Sequence, residues 1–276
     1  MIDGAIELVV EVEGELVPVS FPGGATGAIQ AGPGALERVV GETGFPRPDA
    51  LLVAPFRPRK IVAIGLNYMD HIRETGMEPP RVPLVFAKFP SSVVGPDAAI
   101  TIPTEVTQRV DWEVELGVVI GSHAYRVSRE RALEHVFGYT VANDVSARDL
   151  QFGDGQWVRG KSLDTFCPVG PLVVTRDEVP DPQVLNLRTR VNGQTVQDSS
   201  TSEMIFGVAE LIEFCSASFS LDPGDLLLTG TPWGCGEFMS PQRSLQPGDV
   251  VETEVDGIGT LRNPVEAARR EAAASK

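Results

Sequence analysis

The sequence predicts a mainly β protein with a few short helices, an α+β chain whose strands carry the core. Three observations predict it. The 28 glycines and 22 prolines among 276 residues exceed the usual share of about 12%. They are spread along the chain, as turns between short strands require. Apolar and polar residues alternate in several short windows, the period of a half-buried strand, whereas spacing near 3.6 is confined to brief segments.

Taken in order, Ile6-Glu7-Leu8-Val9-Val10-Glu11-Val12-Glu13, the break at Gly14 and Leu16-Val17-Pro18-Val19 read as a β-hairpin. Residues 34–43 are expected to form one short helix. Pro46, Pro48, Pro55 and Pro58 then punctuate the chain, so residues 1–57 read as a small N-terminal β-rich domain and 58–276 as the main one. Strands are expected at 60–65, 83–88, 110–121, 138–142, 168–174, 185–191, 225–229 and 249–256. Residues 129–136 form a helix with Ser128 as N-cap. Met204, Ile205, Val208, Leu211, Ile212 and Cys215 repeat near 3.6, which predicts a helix over 202–217. Asn192-Gly193 signals a hairpin turn. Leu221-Asp222-Pro223-Gly224-Asp225 and Leu245-Gln246-Pro247-Gly248-Asp249 are matched turns, each feeding a strand. The last ten residues read as a frayed helix or tail.

The charge balance excludes several function classes. With 23 Lys+Arg against 38 Asp+Glu, the net charge of −15 opposes binding to nucleic acid or an anionic membrane surface. No apolar run reaches membrane-spanning length, and the N-terminus lacks the pattern of a signal peptide. Three cysteines without a C-x-x-C pair support neither a disulfide framework nor a thiolate zinc site, and a reduced cytoplasm is expected. No Gly-x-Gly-x-x-Gly, Walker A or Gly-x-Ser-x-Gly pattern occurs.

The residues that can carry chemistry are few. Asp111-Trp112-Glu113-Val114-Glu115-Leu116-Gly117 sets acids on alternate residues, and Asn143-Asp144-Val145-Ser146-Ala147-Arg148-Asp149 supplies another downstream. In a strand Glu113 and Glu115 face one side, either as a solvated edge or as oxygen ligands converging on a hard divalent cation. The apolar run Leu116 to Ile120 implies burial on both faces, where acids need partners. His71 and Glu74 share a helical face, either as a solvent-facing ion pair or as a base whose second nitrogen polarises water. Lys88 ends an apolar strand, at a rim or reaching into a pocket. Lys161 sits in a turn-like Gly160-Lys161-Ser162 setting.

Together these stretches resemble the fumarylacetoacetate hydrolase family. The resemblance is carried by Ile64-Gly65-Leu66-Asn67-Tyr68-Met69-Asp70-His71, Phe86-Ala87-Lys88, Asp111 to Gly121, Gly138 to Gln151, Gly160 to Phe166 and Leu228-Thr229-Gly230-Thr231-Pro232-Trp233-Gly234. These are co-linear and lie between about residues 60 and 264. The resemblance implies a mixed β-sandwich roll, usually a homodimer, with Glu113, Glu115 and Asp144 binding Mg²⁺ or Mn²⁺. It implies a His71–Glu74 dyad activating water, Lys161, Arg148 and Gln151 lining the substrate pocket, and Thr231 at the substrate carboxylate. Lys88 joins the pocket as a weaker match. Ile64, seven residues before His71, stands where the larger branch has a fourth acidic ligand, so the chain resembles the smaller bacterial branch.

The activity implied is hydrolysis of a C–C bond in a 2,4-dioxo acid through a metal-bound enolate. A small anionic 2-oxo acid is then the expected partner. The same parts would serve an isomerase or decarboxylase of an oxo-diacid, and a non-catalytic metal-dependent binding module is the third reading. Selectivity is expected in the loops at 72–82, 152–158 and 233–243, and the first of these is expected to close as a lid in that scheme.

Overall fold

A computed structural model describes residues 8–35, 45–46 and 51–269. The fold is a mixed β roll with few short helices, as the sequence predicts. Its centre is a seven-stranded sheet in the order Leu84–Lys88, Ile61–Gly65, Leu226–Leu228, Val114–Ile120, Val136–Asn143, Cys167–Thr175 and Val93–Val94. Leu226–Leu228 runs parallel to Ile61–Gly65 and antiparallel to Val114–Ile120. All seven residues of Val114–Ile120 and all eight of Val136–Asn143 are buried. That double-sided burial is what their near-continuous apolar sequence requires.

A five-stranded sheet packs nearby in the order Gln194–Ser200, Asn186–Val191, Val250–Val255, Gly259–Ala267 and Ile100–Ile102. The Asn192-Gly193 turn has φ of 53° and 75° at its two central residues, the left-handed pair that matches the twist of a tight hairpin. Both Pro-Gly-Asp turns close identically. Asp225 Oδ2 accepts the Asp222 N–H at 2.7 Å, and Asp249 Oδ2 accepts the Gln246 N–H at 2.8 Å.

Three sequence expectations are corrected. Residues 110–121 are not one strand: Val110–Asp111 pairs with Ser146–Ala147, and Val114–Ile120 pairs with Val136–Asn143. The ladder breaks at Trp112 and Glu113 because side chains replace it there. Asn143 Oδ1 accepts the Glu113 N–H at 3.0 Å and Gln197 Oε1 accepts that of Val114 at 3.0 Å. The helix expected over 202–217 spans Val208–Ser218, after a short 3₁₀ turn at Thr201–Glu203. Asn67 ties the intervening residues down, its main-chain oxygen and Oδ1 accepting the N–H groups of Ile205 and Phe206, while Gln183 Oε1 accepts the Val208 N–H at 2.7 Å. The 129–136 helix is one α turn, Arg129–Ala132, continued as 3₁₀, and the Ser128 side chain makes no cap bond.

The N-terminal hairpin forms as expected, Leu8–Val12 against Glu15–Val19, with Phe45–Pro46 added as a third strand. Ile29, on the helix Gly24–Ala31, packs with Phe56 into the same buried cluster as Ile61, Ala63, Val119 and Phe137 of the central sheet. The helix expected over 34–43 lies mostly outside the described residues, as does most of the C-terminal tail.

Candidate active site and metal centre

The break in the strand creates the site. Where the ladder stops, Glu113 turns beside Asp144, whose N–H it accepts on its main-chain oxygen at 2.9 Å. The register sets Ala142 opposite Glu115 and Asn143 opposite Val114. Glu113, Glu115 and Asp144 thereby converge, all buried, with a carboxylate oxygen of each within 4.8 Å of the others.

Three carboxylates this close repel one another unless positive charge intervenes. Lys161 Nζ donates to Glu113 Oε2 and to Asp144 Oδ2, each at 2.8 Å. Lys88 Nζ donates to Asp144 Oδ1 at 2.5 Å and also to the main-chain oxygen of Lys161. Among the described residues, Glu115 receives a single N–H, from Gly230 at 2.7 Å. The two glutamates therefore diverge. Burial, then the charges of Asp144 and Glu113, push the Glu115 carboxyl well above the usual carboxylate range. Burial also acts upward on Glu113, but Lys161 and Arg148 outweigh it and hold that carboxyl at about 2. Lys161 behaves conversely: burial disfavours its charge, and Asp144 and Glu113 raise it regardless.

The triad suits a hard divalent cation. Its donors are all carboxylate oxygens, no thiol or imidazole belongs to the cluster, and Glu115 is the carboxylate left short of positive charge. An ion that prefers oxygen ligands fits such a set better than zinc.

The dyad stands beside this cluster. The helix Met69–Thr75 follows the strand Ile61–Gly65 and places His71 Nδ1 3.0 Å from Glu74 Oε2. Glu74 Oε1 accepts the Gly234 N–H at 2.9 Å. With a carboxylate accepting at Nδ1, the hydrogen is assigned to Nδ1 and the Nε2 lone pair is left free. Gly234 is needed for this contact: φ is +95°, and a Cβ there would lie 2.1 Å from the Val196 carbonyl oxygen. His71 lies close enough to Glu113 for the ring, when protonated, to help lower that carboxyl.

The pocket residues implied by the resemblance are placed unevenly. Arg148 is buried, its Nε donating to Asp111 Oδ2 and its Nη1 to Gln151 Oε1, both at 2.9 Å, with Nη1 2.7 Å from Glu113 Oε1. Lys88 has no exposed side-chain surface and is committed to Asp144. Thr231 follows the Gly230 that holds Glu115, and its Oγ1 accepts the Gln197 Nε2 hydrogen at 3.0 Å. The solvated-edge alternative for Glu113 and Glu115 is set aside by their burial.

Sequence reasoning missed three contributors. Asp111, left outside the ligand set, is a buried hub: Oδ1 accepts the N–H groups of Trp112 and Gly236, and Oδ2 those of Glu237 and Arg148 Nε. Its place in the alternating-acid run was the available signal. Gln197 joins Val114, Thr189 and Thr231, and Phe238 meets the His71 ring edge-to-face, centroids 5.2 Å apart. Gln197 carries no periodicity or motif that marks it; Phe238 lies in the 233–243 loop expected to hold selectivity, but nothing in the sequence singles it out there.

Residues 60–266 match the family model described as fumarylacetoacetate (FAA) hydrolase C-terminal. The chain is 49% identical over 222 residues to an oxaloacetate tautomerase, mitochondrial, of Xenopus laevis, covering 79% of this chain and 69% of the relative. Among solved structures, it is similar to a fumarylacetoacetate hydrolase from psychrophilic Exiguobacterium antarcticum, TM-score 0.86 at 38% identity, covering 96% of this chain and 97% of that one. It is also similar to a 5-carboxymethyl-2-hydroxymuconate delta-isomerase from Mycobacterium smegmatis, TM-score 0.78 at 38% identity, covering 95% and 94%.

Proposed function

This chain belongs to the fumarylacetoacetate hydrolase family, and from that premise we propose that it interconverts the keto and enol forms of a short 2-oxo dicarboxylate of the oxaloacetate kind. The observation that carries the reading is the His71–Glu74 pair, pinned by Gly234 beside a buried acidic triad. The 49% identity to an oxaloacetate tautomerase supports it.

Glu113, Glu115 and Asp144 would hold Mg²⁺ or Mn²⁺, which supplies a Lewis acid for the two oxygens of a 2-oxo acid. His71 Nε2 takes the proton from the carbon next to the oxo group. Glu74 stabilises the imidazolium formed at that moment and fixes the ring's orientation. In the keto-to-enol direction His71 then delivers that proton to the oxo oxygen, and in the reverse direction it takes the enol hydroxyl proton and delivers it to the same carbon. Lys161 offsets anionic charge at the triad, and Arg148 fixes Glu113. The Thr231 hydroxyl, its oxygen already accepting from Gln197, has its hydrogen available for a substrate carboxylate.

Hydrolysis of an acylpyruvate is the second reading. The same dyad can orient a water, and the likeness to a fumarylacetoacetate hydrolase favours it. The two are separated by assaying oxaloacetate tautomerisation, acylpyruvate cleavage and CO₂ release with Mg²⁺, with Mn²⁺ and with chelator. Rapid, metal-dependent equilibration of oxaloacetate that is lost in His71→Ala is the expected outcome. Cleavage of an acylpyruvate without any effect on oxaloacetate would replace the first reading by the second.

A further inference from the structure

Phe238 bridges the two sides of the site. Its ring meets His71 edge-to-face at 5.2 Å, and the Arg148 guanidinium carbon lies 5.9 Å from its centroid. His71 and Arg148 are buried, whereas Phe238 is only half-buried, so the ring is the outer member of this group. It is not carried on a loose loop. The 3₁₀ turn Gly236–Phe238 is fastened to Asp111 by the N–H groups of Gly236 and Glu237, at 2.7 and 3.1 Å. The segment is fastened again where Arg243 N–H meets the Gly236 oxygen at 2.9 Å and Leu245 N–H meets that of Val110 at 2.8 Å. A rigidly held apolar ring among polar groups has no proton to move. What it supplies is volume beside the base.

We infer that Phe238 is the specificity-determining wall that limits the length of the substrate. This rests on the proposed reading, in which the 2-oxo carboxylate end sits at the acidic triad and the carbon next to the oxo group reaches His71. Any substituent beyond that carbon runs past His71 toward the Phe238 ring. A four-carbon oxo-diacid ends before the wall, and an acid with a longer or aromatic tail meets it. Apolar walls discriminate by about 10- to 200-fold for a change as small as one methylene, and an aromatic tail is far larger than that.

The test compares wild type, Phe238→Ala and Phe238→Leu on oxaloacetate and on benzoylpyruvate as keto–enol substrates. The ratio of kcat/KM values cancels effects transmitted through His71, which both substrates share. The expected result is a rise of at least about tenfold in the benzoylpyruvate-to-oxaloacetate ratio for Phe238→Ala, and a smaller rise for Phe238→Leu. Should Phe238→Ala not fold, Phe238→Leu carries the comparison. Binding is read separately by calorimetry on the Mn²⁺-equilibrated protein with oxamate and oxanilate, which differ by one phenyl group and need no turnover. Removing the ring is expected to strengthen oxanilate relative to oxamate by a similar factor. An unchanged or lowered ratio in both measurements overturns the wall. A wild type that binds both ligands but turns over neither acid overturns the tautomerase reading, and the oxanilate-to-oxamate ratio still decides the wall.

Discussion

Gly234 shows how one residue can fix a catalytic geometry without chemistry of its own. Its N–H holds the far oxygen of Glu74, and its left-handed backbone sits against the Val196 carbonyl. Gly234→Ala is therefore expected to cost stability by about 1–3 kcal/mol and to lower kcat by at least tenfold. Chemical denaturation and the oxaloacetate assay separate those two effects. Glu74→Gln leaves a group able to accept the Gly234 N–H but removes the charge that stabilises an imidazolium. A loss of about 10²- to 10⁴-fold in kcat is expected, with the thermal midpoint within a few degrees of wild type. An unchanged kcat would remove the dyad from the mechanism. At this scale the sequence was legible where spacing carries the information: His71 and Glu74 do share one helical face. It was not legible for Lys88 and Arg148, because their burial against Asp144, Asp111 and Glu113 depends on segments far apart in the chain.

The break in the strand at Trp112 and Glu113 is an element-scale device. Alternation alone puts Glu113 and Glu115 on one face of a continuous strand, yet the structure reaches convergence by interrupting the ladder and letting Asn143 and Gln197 accept the freed N–H groups. That exchange of backbone for side-chain partners has no period to detect. It does have an energetic signature. Gln197→Leu removes the acceptor used by Val114 N–H and Thr189 Oγ1 and the donor used by Thr231 Oγ1, all buried. A destabilisation of about 2–4 kcal/mol is expected, since each orphaned buried group costs about 1–3 kcal/mol. A urea midpoint unchanged from wild type would refute this bridging role of Gln197. The helix Val208–Ser218 teaches the same lesson. Its apolar spacing is visible from Met204, but Asn67 and Gln183 decide where it begins.

Across the whole molecule, the co-linear motifs and the mainly β pattern already identified the family and the fold, and the three acids that they singled out do converge. The boundary at residue 57 remains our proposal, with Ile29 and Phe56 packed into the central sheet's own buried cluster. Ile29→Ala is expected to lower stability by about 2–4 kcal/mol in a single urea transition; two separated transitions would mean that the N-terminal unit folds alone. Occupancy of the triad by Mn²⁺ should stabilise the entire fold, by about 2.7 kcal/mol at 100-fold excess over Kd. The thermal midpoint should rise with Mn²⁺ in wild type and stay fixed in Glu115→Ala. We also expect a homodimer, which sedimentation equilibrium would register as twice the chain mass. The strand Leu226–Leu228 has a consequence of its own, because it fills the slot between Ile61–Gly65 and Val114–Ile120. Any state of the chain in which that strand has not docked lacks the middle of the main sheet and leaves two strand edges bare. Unpaired edges invite association with other chains, so the folding chain stays open to aggregation at the centre of its main sheet until that three-residue strand docks.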